Sequence, residues 1–162
     1  MSHEIENDVG AEVHRSASEL QTGFTCQRHE ETRAVMDEMN DLIRRLPPEL
    51  QARGRALPFP QFHQACAQGD IEMVAALMKA GAEPDGYPYT CDEMDQPPLV
   101  WLAWASDLDS KTKQEVALML LKAGACIEEG EPMLEAMAWQ DDEFACFLGC
   151  QKRAQTDWGD EP

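Results

Sequence analysis

One pattern occurs three times along the chain: a short apolar segment, a polar turn and a second apolar segment. The clearest copy is FHQACAQGDIEMVAALMKAGAEPD at 62–85. A second copy, PPLVWLAWAS followed by VALMLLKAGACIEEG, lies within 97–130 and contains the same Lys-Ala-Gly-Ala. The third, EPMLEAMAWQDDEFACFLG at 131–149, lacks the closing Gly-Ala. Repetition of this kind constrains the fold strongly, because each unit must bury its apolar side against its neighbours.

The first copy resembles the ankyrin repeat, a unit of about 33 residues in which two antiparallel helices carry a projecting hairpin. Phe62-His63 stand where the family pattern has Leu-His, and Ala65-Cys66 where it has a pair of small residues. Gly69-Asp70 match the turn between the helices. Gly81 matches the residue that ends the second helix in a left-handed conformation. The resemblance implies a structural role for His63.

The second and third copies depart from the family pattern in their loops. Gly124 lies 43 residues after Gly81, about ten more than the repeat length, because the hairpin GYPYTCDEMDQ and the turn SDLDSKTK are both extended. Both copies begin with a proline, at Pro98 and Pro132, and both lack the family histidine. The resemblance therefore covers about residues 59–149 with irregular repeats.

The N-terminal part carries an apolar stripe with helical spacing. Val35, Met39, Leu42 and Leu46 follow the i, i+4, i+7, i+11 rhythm of an amphipathic helix, and two prolines end it. Such a stripe has to be buried, and the leading side of the first repeat supplies a surface for it. The predicted fold is all-α: an N-terminal helical cap at 1–58, a short ankyrin-repeat solenoid of helix pairs at 59–149 and an acidic C-terminal tail at 150–162.

The charge of the chain is strongly negative. Its 31 acidic residues exceed its 13 lysines and arginines, and the net charge is −18. The acidity is concentrated in 59–162, which carries −14, whereas 1–58 carries −4. This field repels nucleic acid and anionic membranes and speeds encounters with basic proteins. We therefore expect one protein partner with a basic surface, no direct nucleic-acid binding and no membrane binding.

No motif in the sequence predicts catalysis or a cofactor. A Gly-rich phosphate loop, a nucleophile elbow and a paired His/Cys signature are all missing from it. Cys26-x-x-His29 and Cys146-x3-Cys150 have tolerable metal-ligand spacing but no second half-site. The N-terminus is acidic and lacks the basic-then-apolar pattern of a secretion signal, so we expect a cytoplasmic protein. The prediction is a non-enzymatic chain without metal or cofactor.

In a reducing compartment the cysteines are expected to be thiols and not disulfides. Several of them lie next to alanine, glycine or phenylalanine, where a thiol serves as a small core side chain. This interpretation predicts burial of four cysteines: Cys66, Cys126, Cys146 and Cys150.

The resemblance also implies where a partner docks, because ankyrin proteins use the hairpin tips and the exposed positions of their first helices. Trp104 and Trp139 fall just before the inter-helix turn, where such residues vary most. Exposed tryptophans are costly unless covered, and they are enriched in interface hot spots. The alternative is that irregular repeats bury these rings, and the position of Trp101 is often half-buried. The predicted partner-binding residues are Trp104, Trp139, Trp101, Tyr87, Tyr89, Gln68, Asp92, Glu93, Asp95, Glu128, Glu129 and Glu131.

These features together predict an acidic protein-binding module, namely an inhibitor or immunity protein that occludes a basic partner such as a bacterial toxin. One alternative is a viral or bacterial inhibitor that blocks a nucleic-acid-binding defence protein by nucleic-acid mimicry. Another is a regulatory subunit or enzyme with a nucleotide or metal site that its sequence does not reveal.

Overall fold

The computed structural model describes residues 30–88 and 93–157, and within these ranges every regular element is a helix. The all-α prediction is confirmed. Within the same ranges, none of the helices has both the length and the apolar character needed to cross a membrane. The helices are α1 (30–44), α2 (Pro48–Ala56), α3 (Gln61–Gln68), α4 (Ile71–Ala80), α5 (Pro98–Trp104), α6 (Ser110–Lys122), α7 (Pro132–Ala138) and α8 (Asp142–Asp157).

The last six helices form three sequential pairs that stack in two rows. Helix α3 packs on α4, α5 on α6 and α7 on α8. Across the pairs, α5 contacts both α3 and α7, and α6 contacts both α4 and α8. The first row is therefore α3–α5–α7 and the second is α4–α6–α8. This arrangement places the ends of α5 and α7 side by side.

The Gly-Asp turn of the first copy has a clear physical basis. Gly69 ends α3 with φ 69° and ψ 26°, a left-handed conformation that suits glycine. A Cβ at this position would also lie 2.5 Å from Cδ1 of Leu108. Asp70 then caps α4, because its carboxylate accepts a hydrogen bond from the Met73 N–H at 3.2 Å. The turn thus ends one helix and starts the next, and its glycine leaves room for the side chain of Leu108.

The other helix ends use the same local chemistry. Pro98 and Pro132 occupy the first turns of α5 and α7, where a missing N–H costs nothing. Asp109 caps α6 by accepting from the Thr112 N–H at 3.0 Å. Gly81 and Gly124, with φ of 122° and 106°, follow the second helix of the first and second pairs. These signals explain why the element boundaries repeat along the chain.

Small and branched side chains form one continuous core between the rows. Small residues on α3, α5 and α7 allow the first row to pack closely, and larger ones on α4, α6 and α8 fill the second row. The fully buried members of this core include Ala65, Cys66, Val74, Leu77, Leu102, Val116, Leu120, Ala136 and Phe144.

The N-terminal helices join this core. Leu42 and Ile43 are buried on α1, Leu46 is buried just after it, and Leu50 is buried on α2. The Arg45 guanidinium donates to the Ala80 carbonyl at the end of α4 over 3.3 Å. The predicted apolar stripe of α1 therefore faces the first helix pair. The domain boundary at residue 58 stays a prediction, and residues 1–29 lie outside the described residues.

A buried ion pair connects the second and third helix pairs. Lys113 on α6 is only 2% exposed, and its Nζ lies 2.6 Å from Oδ2 of Asp141. It also lies 5.0 Å from the centre of the Phe144 ring. Burial raises the pKa of Asp141, but the hydrogen bonds from Lys113 and the Phe144 N–H, with the Lys113 charge, outweigh it and hold that pKa below its ordinary range. Asp141 thus fixes the turn between α7 and α8.

The burial expected of the cysteines needs correction. Cys66 is buried, which raises the pKa of its thiol, but Cys126, Cys146 and Cys150 are exposed. Apolar neighbours in the sequence do not bury a residue that faces away from the core, as Cys146 and Cys150 do on α8 and Cys126 does in the connection after α6. The predicted boundary at residue 149 lies within α8, which continues to Asp157, and the division into repeats and tail stays a prediction. The remaining two cysteines, Cys26 and Cys91, lie outside the described residues.

Candidate protein-binding surface

Two tryptophans from different helix pairs meet at one concavity. Trp104 ends α5, Trp139 follows α7, and both line an open concavity of about 640 Å³. Trp139 is 59% exposed and Trp104 is half-buried. The irregular repeats therefore do not bury both rings. We call this concavity the tryptophan cleft, and it is lined by Glu93, Met94, Gln96, Trp104, Glu135 and Trp139.

Glu135 holds one wall of the tryptophan cleft in place. The indole Nε1–H of Trp104 donates to Oε2 of Glu135 over 2.7 Å, which joins α5 to α7. Glu135 lies four residues before Trp139 and therefore shares its side of α7. The sequence prediction missed Glu135, although this four-residue spacing was visible in it.

Trp101 belongs to the core beneath the cleft and not to its surface. The side chain is 7% exposed, and its Nε1–H donates to the Met94 carbonyl over 3.0 Å. Its ring centre lies 5.5 Å from that of His63 and 6.2 Å from that of Trp104. The ring and the N–H of Trp101 are therefore both used inside the protein, and its contact with a partner stays a prediction. Trp101 positions Met94 at the cleft.

His63 supports the connection between α4 and α5, the segment that also contains Met94. Its Nε2 lies 2.8 Å from the Gly86 carbonyl, and since a carbonyl only accepts, Nε2 carries the proton. Burial lowers the pKa of His63 to about 4, against the raising effect of backbone hydrogen bonds with Gly86 and Gln96. The ring is therefore neutral at pH 7. His63 contacts both ends of the long first connection, which agrees with a structural role.

Tyr87 is paired with an acidic residue of the next connection. Its hydroxyl donates a short hydrogen bond to Oε1 of Glu129. This bond, with burial and nearby carboxylates, raises the pKa of Tyr87 to about 12. The Asp85 carboxylate accepts from the Cys126 N–H at 2.8 and 2.9 Å, which gives a second link between the two connections. Tyr87 and Glu129 thus contact each other, and a partner would meet them as a pair.

The acidic residues predicted to contact a partner, which we call the acidic rim, are divided between two places. Glu93 lines the tryptophan cleft. Glu128 instead pairs with Lys152 of α8 at 2.6 Å, which lowers the pKa of Glu128. Glu131 lies with Glu128 and Lys152 around a second concavity at the last helix pair. The rim therefore does not surround the paired tryptophans as one ring.

The other predicted contact residues are not among those that line the cleft, or they lie outside the described residues. Gln68 is exposed at the end of α3, and Asp95 is half-buried between Glu93 and α5 in the chain. Tyr89 and Asp92 lie outside the described residues.

The electrostatics of the tryptophan cleft are one-sided. Two of its lining residues, Glu93 and Glu135, are carboxylates. Among the described residues that line it, none is lysine, arginine or histidine. The cleft therefore combines aromatic surface with negative charge, a combination that suits a cationic group.

Within residues 30–88 and 93–157, no three His, Cys, Asp or Glu side chains are grouped so as to hold a metal ion. Comparison of the chain with protein-family models, with curated proteins and with solved structures finds no match. The chemistry of its surface is therefore the ground on which a function is proposed.

Proposed function

We propose that this chain is a non-enzymatic protein-binding module that contacts a basic protein through the tryptophan cleft. The observation that carries the proposal is the meeting of Trp104 and Trp139, from separate helix pairs, in one concavity lined by carboxylates. A 59% exposed tryptophan is costly in water and contributes strongly when a partner covers it. Carboxylates beside it favour a positively charged partner.

An ankyrin-like solenoid capped by α1 and α2 is the architecture we propose for this module. Its support is the stacking of three helix pairs in two rows, together with the glycines after their helices. The bond from His63 to the Gly86 carbonyl holds the first long connection against α3, as expected of the family histidine. Stacked pairs of this kind present the ends of their first-row helices on one side, which is where the tryptophan cleft lies.

Inhibition by steric occlusion is the use that best fits this surface. The −14 charge of 59–162 attracts a basic protein, and the cleft then provides a local contact with it. We therefore propose a cytoplasmic inhibitor or immunity protein whose partner is a basic protein such as a bacterial toxin. Binding over the functional surface of that partner would block it without any chemistry by this chain.

The contacts of the acidic residues favour this proposal over nucleic-acid mimicry. A mimic needs a row of free carboxylates at phosphate-like spacing. Here Glu128 is neutralised by Lys152, and Glu129 accepts the Tyr87 hydroxyl. Two members of the predicted acidic row are thus already engaged within the protein. Competition by duplex DNA for the captured partner would distinguish the two modes. Only a nucleic-acid mimic occupies the whole groove in which the partner binds DNA.

The test of the proposed function is affinity capture from native lysate with matched variants. Wild-type protein is compared with Trp139→Ala and with Leu134→Ala, which removes another exposed apolar side chain of the same region, 52% exposed. We expect wild type and Leu134→Ala to retain one protein with a basic surface, and Trp139→Ala to lose it. Equal capture by Trp139→Ala would contradict the proposed function.

A further inference from the structure

We propose that the tryptophan cleft is a receptor for one arginine side chain of the partner. The guanidinium would lie against the indole rings of Trp104 and Trp139 and pair with the Glu135 carboxylate. This inference rests on the proposed function and specifies the chemical group that the cleft recognises.

The orientation of Glu135 is fixed by a hydrogen bond within the protein. One of its oxygens, Oε2, accepts from the Trp104 indole N–H at 2.7 Å, so the carboxylate does not rotate freely. Its other oxygen retains its capacity to accept hydrogen bonds, since an ionised carboxylate offers about four acceptor positions. The side chain is half-buried and lines the cleft together with both tryptophans. A donor that enters the cleft therefore meets a carboxylate already in position.

Glu135 has no cationic partner among the residues that the structure describes. Across the described ranges, the ion pairs are those of Arg44 with Asp41, Arg53 with Asp70 and Glu72, Lys113 with Asp141, and Lys152 with Glu128. Glu135 is in none of them, and its bond from Trp104 comes from a neutral donor. A half-buried carboxylate of this kind gains when a partner supplies a positive charge. An apolar or anionic occupant would instead dehydrate the carboxylate without compensation.

The groups that line the cleft fit arginine better than lysine. A guanidinium is planar, stacks on aromatic faces and binds a carboxylate through two parallel N–H donors. An ammonium group is compact and more strongly hydrated, so it loses more on leaving water. The cleft offers two indole rings next to an oriented carboxylate, with Glu93 at its border. This set of groups matches the guanidinium better than the ammonium group.

The test uses the indole N–H signals of ¹⁵N-labelled protein, assigned with Trp104→Phe and Trp139→Phe. The probes are three blocked pentapeptides, Gly-Gly-X-Gly-Gly, in which X is arginine, lysine or citrulline, the neutral analogue of arginine. We expect the arginine peptide to shift the Trp104 and Trp139 signals saturably in the millimolar range. The lysine peptide should bind several-fold more weakly, and the citrulline peptide should leave the signals unchanged.

Glu135→Gln is the informative variant, because its amide oxygen still accepts the Trp104 N–H while the charge is removed. We expect it to weaken the arginine peptide by about tenfold, which corresponds to loss of a charge-assisted bond. Glu115→Gln, an exposed carboxylate on α6, is the matched control and should change nothing. The comparison of arginine with citrulline on the wild-type chain needs no variant at all.

Several results would overturn the arginine receptor. These are the absence of any shift with the arginine peptide, equal shifts with the citrulline peptide, or equal weakening by Glu115→Gln and Glu135→Gln. The proposed function fails separately. If capture depends on Trp139 but the arginine peptide has no effect, only the arginine receptor is wrong. If the peptide binds as expected but Trp139→Ala still captures the partner, only the proposed function is wrong.

Discussion

Three tryptophans in similar sequence surroundings have different environments. Trp101 is 7% exposed, Trp104 is half-buried and Trp139 is 59% exposed. Each belongs to an apolar segment of seven or eight residues, so composition alone does not separate them. Their roles follow from which neighbour takes the indole N–H: a backbone carbonyl for Trp101 and a carboxylate for Trp104. Trp101, whose ring and N–H are both used inside the protein, supports the cleft, whereas Trp104 and Trp139 both line it.

The first prediction concerns pH and the buried histidine. His63 titrates near 6.5 when unfolded and at about 4 in the folded chain. Between these values the unfolded state binds a proton that the folded state does not, so stability rises with pH there. We expect His63 to cost the wild-type protein about 2 kcal/mol of unfolding free energy between about pH 7 and pH 5.

Urea denaturation at a series of pH values measures this effect. His63→Gln is the comparison, since glutamine retains an N–H donor for the Gly86 carbonyl but does not titrate. The variant should lose less stability over the same interval. An identical pH dependence in both proteins would show that His63 does not titrate as its burial requires.

At the scale of the elements, the local sequence sets where each helix ends, but it does not set which side chains pack against that end. The Gly-Asp turn combines a left-handed glycine, a carboxylate cap and close approach by Leu108. The left-handed glycine and the cap are visible in two adjacent residues. The approach of Leu108, from the turn of the next helix pair, depends on how the pairs stack.

The second prediction compares two glycines with positive φ. Gly69→Ala adds a Cβ that would lie 2.5 Å from Leu108, whereas Gly124→Ala, at φ 106°, adds one with nothing within 4 Å. Both substitutions strain the backbone, by about 1–3 kcal/mol each. Only Gly69→Ala also forces Leu108 to move, so it should be the more destabilising of the two. Thermal or urea denaturation decides the order, and the reverse order would show that the turn does not hold Leu108 closely.

The third prediction tests whether α1 is part of the stack. Ile43 is 1% exposed and belongs to the common core, whereas Met36 on the same helix is 42% exposed. We expect Ile43→Ala to destabilise the protein by about 2–5 kcal/mol, as other large-to-small core substitutions do. Met36→Ala should stay within about 0.5 kcal/mol of wild type. If the two variants unfold at the same urea concentration, α1 does not share the stability of the stack.

At the scale of the whole molecule, charge and shape act at different stages of binding. In the proposed function, the net charge of −18 acts at a distance and guides the basic partner, whereas the tryptophan cleft acts only on contact. The acidic residues that are paired with lysine or arginine add little to the field. Encounter is therefore expected to depend on the total charge and dissociation on the cleft.

The fourth prediction follows from this division and requires the captured partner. Its association rate with the wild-type chain should fall steeply as salt increases, because screening shortens the range of the field to about 8 Å at physiological ionic strength. Trp139→Ala should keep that salt dependence but dissociate faster, with a loss of about 2 kcal/mol or more in binding. Surface-plasmon kinetics at low and high salt measure both rates. Salt-independent association would remove the electrostatic part of the proposed function.

Much of the fold could be predicted from the sequence, because short-range patterns of residues mark where the helices begin and end. Prolines at the start of α5 and α7, aspartates before α4 and α6, and glycines after α4 and α6 mark the helices within a few residues. The apolar stripe of α1 likewise indicated which side would be buried. These signals depend on backbone conformation and helical periodicity, and both are set by residues that are close in the sequence.

The tertiary structure alone decided which side chains form the site. Glu135 contacts Trp104 at a sequence separation of 31 residues, and Tyr87 contacts Glu129 at a separation of 42. Lys152, near the end of the third helix pair, contacts Glu128, which precedes that pair in the sequence. Three cysteines predicted to be buried are exposed for the same reason. Such contacts depend on the rotation and spacing of stacked helices, which are set by the packing of the whole core. The sequence by itself therefore determined the helices and their buried sides, and stacking determined which carboxylate faces which ring.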